Sequence, residues 1–519
     1  MPTIHSSTPD ISAGTVPADG RVFRSVNPAD LSDTVAEVVL TDVDGLLGAF
    51  RAAKLAQGAW AATPAPVRGQ VIAAFGRLVE SNAERLAALV TREVGKPLAE
   101  SRGEVQEVID TCTFFAGEGR RLYGQTVPSE MPNKQLFTFR EPVGVVVTVT
   151  AGNFPVAVPS WYLVPALLCG NTVVWKPAEY SAACADALLS LARAAGVPAG
   201  VLEIVHADGA TTFEALSRGL ESALVDKVGF TGSSEVGVRI GELCGRHLQT
   251  PCLELGGKNP MIVAADADLD LAVQGALFSG FGTAGQRCTS LGTAIVHESV
   301  HDAFVARLGR AVDAAIIGDP RADVLFGPLI SEVFASRFED YLSWIQPHHR
   351  TSGSTATGRI CAENPRRGFV GDPEKGHYYH PVVVTGLRPD DELFLRETFG
   401  PIIGVTTYRG LDEAIELANR PGYGLSSSVY THDPATVFGV RRGVRAGMLS
   451  VNNSTSGAEA HLPFGGNGRS GNGSRQSGIW VLDQFSRWQA VNWDYSGGLQ
   501  RAQIDTGRVA ADPDFRLAW

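Results

Sequence analysis

The hexapeptide GQRCTS at 285–290 sets one cysteine between an arginine and two hydroxyl side chains, directly after a glycine-rich run. Cationic or helix-N-terminal surroundings favour a reactive thiolate, whereas apolar burial leaves a thiol inert. Cys288 is therefore either a nucleophile for covalent catalysis or one packed thiol among seven. Two further stretches suit a nucleotide. KPAE places Lys176 and Glu179 at the end of an apolar run, where an acidic side chain can accept from ribose hydroxyls and repel a 2′-phosphate. FTGSSEVG sets Gly232 and Ser233 ahead of a helical pattern, and free N–H groups at a helix start suit a pyrophosphate. A surface ion pair and a plain helix cap are the alternatives for these two stretches.

Other patterns carry less. GFGTAG (280–285) and GNGRSG (466–471) spell GxGxxG, but the first follows a helical pattern and the second a loop. The dinucleotide fingerprint should leave a strand and open a helix, so both are read as tight turns. His377 and His380 have HxxH spacing without acidic partners, PHHR (347–350) reads as solvated loop, and no metal is expected.

These residues must be positioned by a large α/β frame. The chain has 519 residues, 44% hydrophobic and 19% charged, enough for about three domains. Net charge is −11 with no basic run, which argues against nucleic acid. Seven scattered cysteines without CxxC spacing argue for a reducing compartment. The N-terminus lacks signal-peptide character and no apolar stretch could cross a bilayer, so a cytoplasmic location without membrane partners is expected. Residues 43–125 read as helices, the first capped by Asp42. Short apolar strands (144–150, 172–175, 202–205, 225–230, 252–255) then alternate with helices, as in a parallel doubly wound sheet. A second α/β unit follows, with strands near 261–263, 293–297, 381–384, 402–408 and 427–430, and a loop with room for a hairpin at 346–377. Ligands bind at the carboxyl ends of such strands.

GNFP (152–155), KPAE, FTGSSEVG, LELGGKNP (253–260), GQRC and ETFGP (397–401) occur in one order, and together they resemble the NAD(P)-dependent aldehyde dehydrogenase superfamily from about residue 25 to 495. The resemblance implies an α/β fold with a Rossmann-type parallel sheet domain (25–125 and 143–255), a second α/β catalytic domain (256–470) and a β-arm for oligomerisation (126–142 and 471–495). Residues 1–24 would be a mobile leader and 496–519 a C-terminal tail. By the same resemblance Cys288 attacks the aldehyde, Asn153 donates to the oxyanion with the Cys288 backbone N–H, and Glu254 activates water. Glu254 also ends a buried run, where desolvation raises a carboxyl pKa; a merely paired glutamate is the other reading. A turn residue before Phe154-Pro155 is the alternative for Asn153. Glu397 and Phe399 match the residues that hold the nicotinamide ribose and flank its ring. Lys176 and Glu179 match the adenosine-ribose ligands and Ser233 the pyrophosphate contact, with NAD favoured over NADP. One departure is Gly152, where the family often has tryptophan.

For the substrate, GEVQE (103–107), GQRCTS and TSGAE (455–459) resemble the antiquitin-like aminoadipic semialdehyde branch, while SGAEAHLPFGG is similar to α-ketoglutaric semialdehyde dehydrogenases. Both imply a carboxylate semialdehyde, with Gly457 and Ala458 amides forming a nest for the far carboxylate and Arg287 adding charge. In the first branch a glutamate matching Glu107 reads the substrate amino group. Arg287 in a structural ion pair with a generic aldehyde pocket, and Glu107 as a polar helix residue, are the alternatives. A CoA-acylating relative would generally lack Glu254, and a non-catalytic protein on this fold would be free to lose Cys288, Asn153 or Glu254. A homodimer or tetramer is expected, because an unpaired strand edge invites further pairing.

Overall fold

The computed structural model describes residues 4–5, 21–353, 356–501 and 509–519. Most of the expected leader lies outside these, although Val22–Asn27 and Asp30–Val39 form an antiparallel hairpin that includes its last residues. Four helices follow: Val43–Ala62, Ala65–Ser81, Ala83–Val94 and Leu98–Glu118. Asp42 caps the first, its side chain accepting from the Gly45 N–H at 2.9 Å. The third ends at Gly95 with φ 72°, where a Cβ would run into the rings of Pro28 and Pro328. That left-handed close lets the chain turn straight into Leu98–Glu118.

Five parallel strands form the first sheet in the order Cys252–Leu255, Lys227–Gly232, Val145–Val149, Thr172–Lys176, Leu202–Ile204. Val145–Val147, Val173, Val174, Val228 and Trp175 are almost wholly buried, as a sheet covered on both faces requires. The chain moves outward from Val145–Val149 in one direction, then returns to build the other side. The order therefore reverses between Val145–Val149 and Lys227–Gly232, which opens a crevice at the strand ends. Register aligns those ends: Val149 pairs with Lys176 and Phe230, and Glu254 with Thr231.

The second sheet has seven strands, ordered Arg350–Ser352, Val382–Thr385, Ile402–Tyr408, Leu291–His297, Asn259–Val263, Ser426–Tyr430, Met448–Val451. All pairings are parallel except that of the Arg350–Ser352 edge strand. Within the expected loop at 346–377, Arg350–Ser352 is thus a strand, and Phe369–Val370 pairs with Ile317–Gly318. A third, antiparallel sheet joins Lys134–Pro142 to Ser486–Asp494 over nine residues and to Thr126–Val127.

Candidate active site

Three distant segments converge at the crevice. Asn153 follows the strand Val145–Val149 at the reversal point, Glu254 lies in the edge strand Cys252–Leu255, and Cys288 precedes the strand Leu291–His297. The Asn153 Nδ2 donates to the Gln286 carbonyl at 2.8 Å, tying the first segment to the third. Asn259 Nδ2 donates to the carbonyls of Cys288 (2.8 Å) and Ser290 (2.7 Å), and its Oδ1 accepts from the Ser426 N–H at 3.0 Å. A Cβ on Gly257 would lie 2.6 Å from the Cys288 carbonyl, so glycine permits that approach.

Cys288 is part-buried, and the other cysteines, all free, include five fully buried ones. Burial, with the nearby carboxylates of Glu254 and Glu397, pushes the Cys288 thiol up to about 12. The resting sulfur is therefore protonated at neutral pH, contrary to the cationic environment that the neighbouring arginine suggests. Glu254 is 4% exposed, and among the described residues neither carboxylate oxygen has a well-formed hydrogen bond, the Gly466 backbone being the nearest donor that favours its charged form. Desolvation holds its carboxyl well above the ordinary range, opposed by Arg475. A Cβ on Gly465 would come within 2.7 Å of Glu254 Oε1 and 3.2 Å of Arg475 Cδ, so both side chains flank that backbone. A carboxyl with such affinity for a proton suits general-base work.

The same sheet edge carries polar groups that fit a dinucleotide. Lys176 Nζ and Glu179 Oε1 pair at 2.8 Å, both largely buried. Ser233 caps the helix Ser234–Arg246, following Gly232 at the end of its strand. Glu397 Oε1 accepts the Gly257 N–H at 3.0 Å, and any side chain at Gly256 would overlap the Glu397 carboxylate. Burial raises Glu397 to about 7 and lowers its buried neighbour Lys258 to about 7. The Phe399 ring lies 5.8 Å from Phe334, which meets Tyr180 edge-on at 5.8 Å. Tyr180 in turn fills the space a side chain at Gly152 would need. The absence of tryptophan at 152 is thus answered by Tyr180.

Of the residues expected to meet the substrate, Glu107 and Ala458 line one cleft, together with Asp110, Glu459 and His461. Among the described residues Glu107 Oε1 is buried without a well-formed hydrogen bond, and burial raises its carboxyl to about 8 against the Trp161 indole N–H nearby. The 454–458 loop is tied to the neighbour of Cys288, because the Thr455 hydroxyl donates to the Thr289 carbonyl at 2.7 Å. Gly457 has φ 134° and open space about its α-carbon. Arg287 corrects the expectation. Its guanidinium is paired with Glu100, donates to Thr283 Oγ1 at 3.2 Å and lies 4.6 Å from the Phe278 ring centroid. It is occupied inside the protein, in the ion pair that was the alternative to a substrate contact.

The first two turns of the helix Leu98–Glu118 were not anticipated as part of the site. Glu104 forms a fully buried pair with Lys96 and accepts the Val156 (2.9 Å) and Ala157 (3.1 Å) N–H groups just beyond Asn153. Lys96 Nζ lies 3.4 Å from the Phe154 ring centroid. Glu100 accepts from Thr283 ahead of Cys288. The sequence signal was available: Glu100, Glu104 and Glu107 are spaced i, i+4, i+7 on one helix face.

The histidines behave otherwise than expected of PHHR. His349 is buried, its Nε2 2.8 Å from Asp391 Oδ2, with His348 Nε2 at 3.0 Å from the same oxygen. His349 Nδ1 accepts the Gln346 N–H at 2.9 Å, which leaves Nε2 protonated and donating rather than available to a metal. His377 and His380 engage Glu332 and the Asn364 carbonyl separately.

A doubly wound sheet whose reversal-point crevice meets a cysteine, an amide and a buried carboxylate is the layout of an α/β enzyme that holds its ligands at the strand ends. Residues 15–491 match the aldehyde dehydrogenase family, and the chain belongs to it; it is an aldehyde-oxidising oxidoreductase. The chain is 33% identical to an alpha-ketoglutaric semialdehyde dehydrogenase of Bacillus subtilis, covering 91% of this chain and 94% of that one. It is 34% identical to an alpha-aminoadipic semialdehyde dehydrogenase of Bos taurus, over 93% of this chain and 88% of the other. Among solved structures, betaine aldehyde dehydrogenase from Staphylococcus aureus in complex with NAD+ superposes with a TM-score of 0.87 at 28% identity, covering 93% and 94% of the two chains. Membership implies a nicotinamide cofactor. Among the described residues no helix is long and apolar enough to cross a membrane.

Proposed function

We propose that Cys288 carries the oxidation of a short semialdehyde with a distal carboxylate to the corresponding acid, with NAD as the preferred cofactor. A bound oxidised nicotinamide would supply the hydride acceptor. The Cys288 sulfur, its proton released to solvent, attacks the carbonyl to form a thiohemiacetal oxyanion. An amide group carries two N–H donors, so Asn153 can hold the Gln286 carbonyl with one and stabilise the oxyanion with the other. Loss of hydride leaves a thioester, and Glu254 takes a proton from the water that cleaves it. Glu397 and Phe399 would position the nicotinamide end, Lys176 and Glu179 the adenosine ribose, and Gly232 and Ser233 the pyrophosphate. Glu179, acidic and beside the ribose position, supports NAD over NADP.

One observation carries this reading: Asn153 donates at 2.8 Å into the Cys288 loop, and the buried carboxyl of Glu254 is near enough to help raise the Cys288 thiol. The names of two relatives support the semialdehyde class. Within that class the carboxylates of Glu107, Asp110 and Glu459 around one cleft favour a substrate that also bears an ammonium group, and the Gly457 and Ala458 backbone remains the candidate nest for its carboxylate. The five-stranded, seven-stranded and antiparallel three-stranded sheets that meet around the crevice and the arm support the division into a sheet domain, a catalytic domain and an arm. We place the protein in the cytoplasm as a homodimer or tetramer built through the arm, whose strand Ser486–Asp494 leaves Trp488 and Trp493 exposed at an edge. The deciding experiment measures NADH formation across a panel of aldehydes for the wild type and Cys288→Ala. Turnover that survives the substitution would overturn the mechanism, and equal kcat/KM for uncharged aldehydes of the same length would overturn the substrate class.

A further inference from the structure

Aldehyde oxidation as derived above makes no use of Glu100, yet this residue contacts the nucleophile's loop at three points. One carboxylate oxygen accepts the Thr283 N–H at 3.1 Å, and the other takes the Thr283 hydroxyl and the Arg287 guanidinium. Thr283 and Ala284 have φ of 52° and 54°, and Gly285 follows at 69°. Three successive left-handed residues therefore separate the end of the helix Leu269–Phe281 from Gln286. Non-glycine residues avoid that region because the Cβ crowds the following carbonyl, and they stay there only when their surroundings hold them. Thr283 and Ala284 are buried, and the Glu100 and Arg287 side chains are only 14% and 7% exposed, so water cannot replace these contacts readily. Directly beyond the turn come the Gln286 carbonyl that receives Asn153 and then Cys288 itself.

We propose that Glu100 is a positioning residue: by holding the left-handed Thr283–Ala284 turn, it sets where the Cys288 thiol stands relative to Asn153. This rests on Cys288 being the nucleophile. Glu100 touches no reacting atom and acts through Thr283 and Arg287. A role confined to neutralising Arg287 would leave the turn, and the chemistry per folded molecule, unaffected.

The test compares full-length wild type, Glu100→Gln, Thr283→Val and Glu100→Gln/Ala284→Gly. Steady-state NADH formation is measured with one aldehyde, and rates are expressed per Cys288 thiol titrated with iodoacetamide. Glu100→Gln is expected to lower kcat per titrated thiol by about tenfold to a hundredfold, the scale of a displaced reacting group, with the KM for NAD unchanged. Thr283→Val removes the hydroxyl contact while keeping the Glu100–Arg287 pair, and should show the same loss even if Glu100→Gln folds poorly. Glycine at 284 adopts the turn without strain, so the double variant should regain most of the rate. An unchanged kcat per titrated thiol in Thr283→Val, or no recovery in the double variant, overturns the proposal. Turnover by Cys288→Ser would instead remove the nucleophile reading on which it stands, and the two failures are distinguishable.

Discussion

The Asn153 side-chain amide donates 2.8 Å to the Gln286 carbonyl, two residues ahead of Cys288. One side chain thus sets its own orientation and that of the sulfur's loop. Replacing it by alanine removes an oxyanion donor and a tether together. Asn153→Ala should lower kcat by about 10²–10³-fold while KM for NAD stays near the wild-type value. Steady-state kinetics at saturating NAD checks this, and a rise in KM alone would contradict it.

Glu254 has a double signature. As the deacylation base, its replacement in Glu254→Gln should preserve the first burst of NADH while slowing steady turnover about 10²–10⁴-fold. Stopped-flow absorbance separates the two phases. The stability effect has the opposite sign. A carboxyl raised by burial binds its proton more tightly folded than unfolded, where its pKa is about 4.3. Its contribution is complete below that pH and lost as pH rises through the folded value. Glu254→Gln carries no such penalty, so its Tm advantage over the wild type should widen as pH rises above the unfolded value and level off once the buried group has ionised.

Arg287 and Glu107 should separate in kinetics. Arg287→Gln leaves Glu100 without its ion-pair partner, a loss of about 3–5 kcal/mol for a buried pair, so it should lower Tm and kcat. Its effect on KM should be the same for a carboxylate semialdehyde and an uncharged aldehyde. A selective KM rise for the carboxylate substrate would return Arg287 to the pocket.

Glu107→Gln should act selectively on an ammonium-bearing semialdehyde. A hydrogen bond to a charged group contributes about 1.5–3 kcal/mol, roughly tenfold to a hundredfold in KM. In the wild type the carboxylate forms as pH passes about 8, so KM for that substrate should fall between pH 7 and 9 and stay flat in Glu107→Gln. Matching profiles in the two proteins would remove Glu107 from recognition.

The arm makes a prediction about mass. Trp493 is 59% exposed on the edge strand Ser486–Asp494, next to partly exposed Val491. Lysines at both positions should block further strand pairing. Light scattering should show a smaller species for Val491→Lys/Trp493→Lys than for the wild type; an unchanged mass would place the interface elsewhere.

Much of the frame was legible because local chemistry marks it. Asp42 announces a helix, and the valine runs at 145–149 and 172–176 read as buried strands by their β-branched continuity. Cys288, Asn153, Glu254 and Glu397 were legible through motifs whose order resembles a known family. The hairpin Val22–Val39 was not read, since Asn-Pro-Ala-Asp at its turn resembles an open loop as much as a tight reversal. Arg287 misled because adjacency to the nucleophile says nothing about side-chain direction, which Glu100, 187 residues earlier, decides. Lys96 and Glu104 look like solvent-facing charges in GKPLAESRGEV, and only tertiary packing makes them a fully buried pair.

Glu100, Glu104 and Glu107 reach three different destinations from one stripe of the helix Leu98–Glu118: the cysteine loop, the asparagine loop and the cleft. A helix advances about 100° per residue. A single codon gained or lost between positions 100 and 107 would swing part of that stripe away and unhook one loop from another. Over this stretch selection can exchange side chains but has little freedom to change length, so indels among natural variants should cluster outside it.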